Sequence, residues 1–97
     1  SAPGKSQEAA KLLRRLQGVI VAREYVIFDY DCPAELVAEA SAITPGIESP
    51  TISPMRDSDW VAVRSLVLAN EINAKMDELY ELGARAILVS AIHAARI

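Results

Sequence analysis

Apolar and polar positions follow two periods along this chain, one typical of helices and one typical of strands. The first helical pattern begins after Ser6, a candidate N-cap, and predicts a helix that ends near Gly18 or continues toward Ala22. Its apolar positions are Ala9, Leu12, Leu13 and Leu16. Because this stripe is broad for an opening element, we expect it to pack against something outside the chain. The sequence begins without Met, and we expect it to be a piece of a longer protein.

The rest of the pattern predicts four strands and two further helices. The strands are expected at 25–31, 51–56, 60–68 and 84–90, the last with an extension toward residue 97. One helix should open at Cys32 and Pro33, since proline suits the first helical position, and end at Thr44. The other should run from an Asn70 cap to Gly83. Pro54 confines the second strand to a sheet edge or a bulge.

This order, a helix followed by β-α-β-β-α-β, predicts an α+β, ferredoxin-like fold. Such a unit has a four-stranded antiparallel sheet with two helices on one face, here preceded by an N-terminal helix. We assign residues 1–24 to an N-terminal tail and linking helix, and residues 25–97 to the ferredoxin-like domain. The open face of the sheet is expected to carry valines and a tryptophan rather than charges, and therefore to be covered by another subunit or domain.

Length and charge narrow the possible functions. With 97 residues the chain is small for a complete metabolic enzyme. A net charge of −3 argues against a nucleic-acid partner. No apolar run approaches the ~20 residues that cross a bilayer, so no membrane role is expected. The single Cys32 suits a reducing cytoplasm.

Catalytic chemistry has few candidates. There is no phosphate-binding loop, dinucleotide fingerprint or metal-spaced cluster. His93 lacks a surrounding motif and is interpreted as a surface or interface residue. Cys32 at a predicted helix N-terminus could be a reactive thiolate, but a small, half-buried capping residue is favoured. Asp29 and Asp31 lack a third ligand, so a solvated or capping role is favoured over a metal site. We assign no catalytic and no metal-binding residue and expect no enzymatic activity from this chain alone.

Binding chemistry centres on residues 44–51, which combine prolines, hydroxyl residues and Gly46, and on the acidic strand end before them. Gly46 is expected to supply a positive φ in a stiff loop. Asp31 could accept from the ammonium group of a small zwitterion, with donors from the Gly46–Ile47 backbone and the Thr51 hydroxyl. Alternatively, Asp31 caps a helix and Thr44 and Ser49 merely close turns. The residues alone support the two interpretations equally.

Several motifs together resemble a known family. They read DYDCP at 29–33, AITPGIESPTI at 42–52, WVAVR at 60–64, MDEL at 76–79 and GARAIL at 83–88. The chain, from about Leu16 to Ile97, resembles the C-terminal regulatory domain of the long, actinobacterial form of ATP phosphoribosyltransferase. The resemblance implies a cytoplasmic glycosyltransferase that performs the first step of histidine biosynthesis. Its catalytic domains, with the phosphoribosyl pyrophosphate loop and magnesium site, would precede this region and are absent from the chain.

In that family L-histidine binds this domain and drives a homo-hexamer toward an inactive form, which is feedback inhibition. Residue by residue, the resemblance implies ligand contacts at Asp31, Ile47, Thr51, Leu66 and Ala86. Asp31 would hold the polar nitrogens of the ligand, and Leu66 would wall the pocket. Thr51 and the main chain near Ile47 and Ala86 would hold the amino and carboxylate groups. The alternatives are an assembly module with no ligand of its own, or a sensor of another amino acid or nucleotide.

Overall fold

A computed structural model describes residues 3–97; Ser1 and Ala2, part of the predicted tail, lie outside the described residues. The helices are α1 (Pro3–Glu24), α2 (Val37–Ile43), which follows a 3-10 turn at Ala34–Leu36, and α3 (Ile72–Leu82). The strands are β1 (Tyr25–Pro33), β2 (Thr51–Pro54), β3 (Trp60–Leu68) and β4 (Arg85–Ala91). They form one antiparallel sheet in the order β2-β3-β1-β4. The predicted α+β, ferredoxin-like fold is confirmed, and β2 lies at an edge, as Pro54 required.

The hydrophobic core lies between the sheet and the pair α2 and α3. Alternate residues of the two central strands face it, because successive strand residues point to opposite faces. The core consists of Phe28, Tyr30, Cys32, Ala40, Val63, Val67, Leu79 and Ala84. The valines of β3 are therefore on the covered face. The prediction that they line the open face was wrong, and Asp29, Asp31 and Arg64 occupy that face instead, at the alternate positions of the same strands.

The predicted starts of α2 and α3 were both wrong. Pro33 is the last residue of β1 and pairs with Trp60, so the helix begins later than the proline suggested. Cys32 is consequently a fully buried strand residue rather than a half-buried cap. α3 begins after Glu71, whose φ of 58° is left-handed, and not at an Asn70 cap. Its predicted end is confirmed, since the N–H of Gly83, with φ 124°, donates to the carbonyls of Leu79 and Tyr80.

α1 is longer than predicted and passes straight through Gly18, so Ser6 lies inside it rather than at its start. The chain after Ala91 leaves the sheet and crosses α1, where an added Cβ on Gly18 would overlap the carbonyl oxygen of Ala95. The expected extension of β4 is therefore wrong. Upstream of Gly18 the helix projects into solvent, which gives the described chain extents of 55 × 28 × 19 Å. No helix within residues 3–97 has the length and hydropathy needed to cross a membrane.

Candidate functional site

The open face of the sheet holds a depression of about 510 Å³ that spans all four strands. Its charged lining residues are Asp29, Asp31 and Arg64, and its remaining lining is mostly small or apolar. A second depression of about 290 Å³ adjoins it toward the loop before β2. Thr51 and Arg64 line both and form the ridge between them. The arrangement is a shallow, elongated surface with charge at its centre.

Four of the five sequence-predicted site residues lie on this surface. Asp31, Thr51 and Ala86 line the larger depression, and Thr51 and Leu66 line the smaller one. Ile47 is separate: it lies in a depression formed with the C-terminal end of α1. The structure therefore gathers Asp31, Thr51, Leu66 and Ala86 and leaves Ile47 at the margin.

Asp31 and Thr51 reach this surface from strands that are not neighbours. Asp31 on β1 pairs with Ala62 of β3, while Thr51 on β2 pairs with Arg64 of the same central strand. At a strand spacing of ~4.8 Å, β1 and β2 lie about 10 Å apart. A gap of this size accommodates a small zwitterionic molecule between an acidic and a hydroxyl side chain. Asp31 is half-buried at this position, whereas Thr51 is exposed.

A bidentate ion pair lies at the centre of the surface. Arg64 Nε donates to Asp29 Oδ1 at 2.8 Å, and Arg64 Nη2 donates to Asp29 Oδ2 at 3.2 Å. The hydrogen bond and the negative charge of Asp29 raise the pKa of Arg64, which stays cationic. Since its carboxylate is engaged, Asp29 does not fit the role of a metal ligand. Across residues 3–97 no three His, Cys, Asp or Glu side chains converge as a metal site.

Ala86 lies at a bulge in β4. Asp29 pairs with Leu88 and Asp31 pairs with Arg85. An advance of two residues along β1 is therefore matched by three residues along β4, which places one extra residue in β4. Ala86 adopts a φ of 53°, a left-handed conformation that costs a non-glycine residue roughly 1–2 kcal/mol. Bulges of this kind redirect backbone groups, and here the redirected segment borders the depression beside Asp31. This strained element was not predicted from the sequence, which has no glycine there to signal it.

The loop between α2 and β2 is held to β3 through its backbone. Gly46 forms a bridge with Val67, and the N–H of Ile47 donates to the Leu66 carbonyl at 3.0 Å. The expected free donor at Ile47 is therefore engaged, which corrects that part of the prediction. Gly46 is needed for close approach and not for a positive φ, because an added Cβ would lie 2.9 Å from the Leu66 carbonyl oxygen.

The remaining reactive side chains lie away from this surface. Burial, followed by the nearby Asp31 charge, raises the pKa of the Cys32 thiol, which opposes a thiolate role. His93 is exposed and borders a different depression beside Gly18 and Val19. The residue that sequence reasoning missed is Arg64. Its signal was present, since it is the single charged residue of β3.

Comparison with known proteins gives a consistent match. Residues 22–94 match the family model described as HisG, C-terminal domain. The chain is similar to an ATP phosphoribosyltransferase of Arthrobacter sp. (strain FB24), with 66% identity over 97 residues that cover 100% of this chain and 34% of that protein. It is also similar to the ATP phosphoribosyltransferase of Pseudarthrobacter chlorophenolicus, with 67% identity over 97% of this chain and 33% of that protein. The enzyme of Streptomyces avermitilis is 62% identical over 90% of this chain and 30% of that protein. The chain thus spans about a third of the length of the curated relatives it matches. Because the family model matches most of its residues, the chain belongs to the family of HisG C-terminal domains.

Proposed function

We propose that this chain is the allosteric feedback domain of an ATP phosphoribosyltransferase and that it binds L-histidine to inhibit catalytic domains outside the chain. The parent protein would be a cytoplasmic, homo-hexameric glycosyltransferase that opens histidine biosynthesis. Phosphoribosyl transfer and its magnesium would belong to those catalytic domains. The family match and the names of the relatives support the parent enzyme, and a chain of about a third of their length is consistent with one domain of it. Residues 1–24 would link this domain to the catalytic part.

The observation that carries the proposal is the meeting of Asp31 and Thr51 in one depression from strands separated by β3. A free amino acid needs an acidic acceptor and hydroxyl or amide donors at opposite ends. In the proposed complex, the Asp31 carboxylate accepts from the ligand's polar nitrogens and the Thr51 hydroxyl contacts the far end. The main chain at the Ala86 bulge borders the acidic end. Leu66 supplies an apolar wall. Ile47, whose N–H is engaged and which lines a separate depression, would contact the ligand only at the margin of the site.

Isothermal titration calorimetry with L-histidine tests this assignment. We expect Asp31→Asn to weaken binding about 10- to 100-fold, because a hydrogen bond to a charged group contributes about 1.5–3 kcal/mol. Thr51→Val should weaken binding about 2- to 10-fold, the range of a neutral hydrogen bond. Both variants should retain the far-UV circular dichroism of the wild type, because neither residue belongs to the core.

Asp77→Asn is the matched control, since it makes the same chemical change at an exposed position of α3, an element packed on the covered face of the sheet. It should bind L-histidine as the wild type does. A wild-type chain that gives no heat and no thermal shift with L-histidine would overturn the proposal. Equal affinity in wild type and Asp31→Asn would remove this carboxylate from the site.

A second candidate, an assembly module without a ligand, is favoured by α1. Its apolar residues Leu12, Leu13, Leu16, Val19 and Ile20 are each at least 53% exposed, a stripe that in water usually packs against another surface. Analytical ultracentrifugation separates this function from the first. An assembly module associates without L-histidine and becomes monomeric in the double variant Leu12→Glu, Leu16→Glu. A pure ligand-binding domain keeps its histidine affinity in that variant.

A further inference from the structure

We propose that Arg64 binds the carboxylate of the amino-acid ligand and that Asp29 is a positioning residue, which holds the guanidinium in place. The inference rests on the proposed function, because it assigns a further role within the same site. It also accounts for a charged pair on a surface where a ferredoxin-like sheet could have carried apolar residues.

The geometry leaves Arg64 free to act on a ligand. A guanidinium has five N–H donors, and the pair with Asp29 uses one on Nε and one on Nη2. The outer edge, with both Nη1 donors and the second Nη2 donor, stays available for a second carboxylate. The side chain of Arg64 is 65% exposed, while that of Asp29 is 28% exposed, so the cation lies outward of the anion that holds it.

The charges around the site point to the same residue. Arg64 lines both depressions, and it is the sole cation among the described residues that line either of them. Asp29 and Asp31 line the larger depression and Glu48 lines the smaller, so a ligand carboxylate placed elsewhere would meet acidic neighbours. The backbone donor expected at Ile47 is already bonded to Leu66. Arg64 is thus the group best suited to neutralise a carboxylate at this site.

The position of Arg64 also fits the other contacts. Its register partners are Thr51 on β2 and Asp29 on β1. Asp31 pairs with Ala62, two residues before Arg64 on the same face of β3, so Arg64 lies beside Thr51 and close to the strand position that faces Asp31. A ligand whose polar nitrogens reach Asp31 would place its carboxylate toward Thr51 and Arg64. The site would consequently select an amino acid over the corresponding amide or amine.

The test compares L-histidine with L-histidinamide, which lacks the negative charge, by calorimetry at about pH 6.5, where the α-amino groups stay mostly protonated. We expect the wild type to prefer the acid by about 10- to 100-fold, the range of a charge-assisted hydrogen bond. Arg64→Gln should lose this preference, and its amide affinity should stay within about threefold of wild type. Arg64→Lys should keep part of the preference, because the charge remains while the bidentate fork is lost. Asp29→Asn should reduce the preference by a few-fold, since the guanidinium is no longer held.

Arg56→Gln is the matched control, because Arg56 lies in an exposed turn with a side chain that is 95% exposed. It should leave the preference unchanged. If Arg64→Gln weakens acid and amide equally, or weakens neither, the inference is overturned while the proposed function stands. If the wild type binds neither compound, the proposed function itself fails and the inference falls with it. The thermal unfolding midpoint of each variant shows that a lost preference does not reflect a lost fold.

Discussion

Gly18→Ala is expected to have opposite effects on stability in two forms of this chain. In a helix interior, alanine is about 0.8–1.0 kcal/mol more favourable than glycine, and Gly18 lies in the interior of α1. The C-terminal segment, residues 92–97, crosses α1 at this point. An added Cβ would overlap the Ala95 carbonyl oxygen and lie 3.2 Å from Arg96 Nη1. Since the Ala95 atom belongs to the backbone, the whole segment must move away from the helix.

The cost of that movement follows from what the segment covers. Val21 is 6% exposed at this junction, and the same apolar surface includes Ile27 and Leu66. Exposing one buried valine costs about 1.5–3 kcal/mol. The gain in helix propensity offsets about 1 kcal/mol of this, so the variant should lose about 0.5–2 kcal/mol of stability.

Urea unfolding followed by far-UV circular dichroism measures this difference. The matched control is the same substitution in a chain that ends at Ala91, which lacks the crossing segment. There Gly18→Ala should gain about 1 kcal/mol, because only the propensity term remains. A gain of similar size in both chains would refute the reasoning, since it would mean that the segment does not pack on Gly18.

Three further predictions concern groups that the fold buries or strains. Tyr30→Phe should be neutral or stabilising by up to about 1 kcal/mol at pH 7, because the buried Tyr30 hydroxyl makes no hydrogen bond in the described chain. Burial raises the pKa of Tyr30 above 10.0, so the folded chain keeps this proton where the unfolded chain loses it. Wild-type stability should therefore fall as pH rises above about 10, and urea unfolding of Tyr30→Phe should show a smaller fall. Cys32 should react with iodoacetamide only as fast as the chain unfolds, because its side chain is fully buried and the pKa of its thiol is raised. Mass spectrometry measures the labelling, and rapid labelling of the folded chain would contradict this prediction. Ala86→Gly should raise the thermal midpoint, because glycine relieves the left-handed strain at this position. The net gain in the free energy of unfolding should be up to about 1 kcal/mol once the larger conformational entropy of glycine in the unfolded chain is subtracted. A lower midpoint would argue against strain at the bulge.

The parts of the fold that were predicted correctly are those in which local and tertiary preferences agree. β3 was predicted with its observed bounds, because its period-two pattern is flanked by a turn on one side and polar residues on the other. Gly83 ended α3 as expected, since its φ of 124° suits only glycine. The error at Pro33 has a tertiary cause: Trp60, a partner distant in sequence, pairs with it in the sheet and decides the conformation that the proline was expected to set. At Gly18 the sequence allowed the helix either to end or to continue, and the structure shows that it continues to Glu24.

The candidate site divides in the same way. Asp31 and Thr51 could be placed near each other from topology, because strand order brings the ends of β1 and β2 to opposite sides of β3. The bulge at Ala86 and the bond from Ile47 to Leu66 depend on register, which a single sequence does not specify. The pair of Asp29 and Arg64 also depends on register. Its two members are 35 residues apart in the chain and meet only because β1 and β3 pair at that step.

Leu66 and Ile27 connect the candidate site to α1. Both residues line the smaller depression beside Thr51, and both also line the apolar junction with Val21 and the C-terminal segment. Under the proposed function, a ligand that repositions Leu66 acts directly on the surface that holds α1. Coupling between two sites is reciprocal. If the ligand changes the equilibrium between the packed and the loosened junction by some factor, loosening the junction must change the ligand affinity by the same factor. Gly18→Ala should therefore alter the calorimetric affinity for L-histidine, although Gly18 lines neither depression of the site. An unchanged affinity in a variant with a demonstrably displaced C-terminal segment would show that the site and α1 are energetically independent.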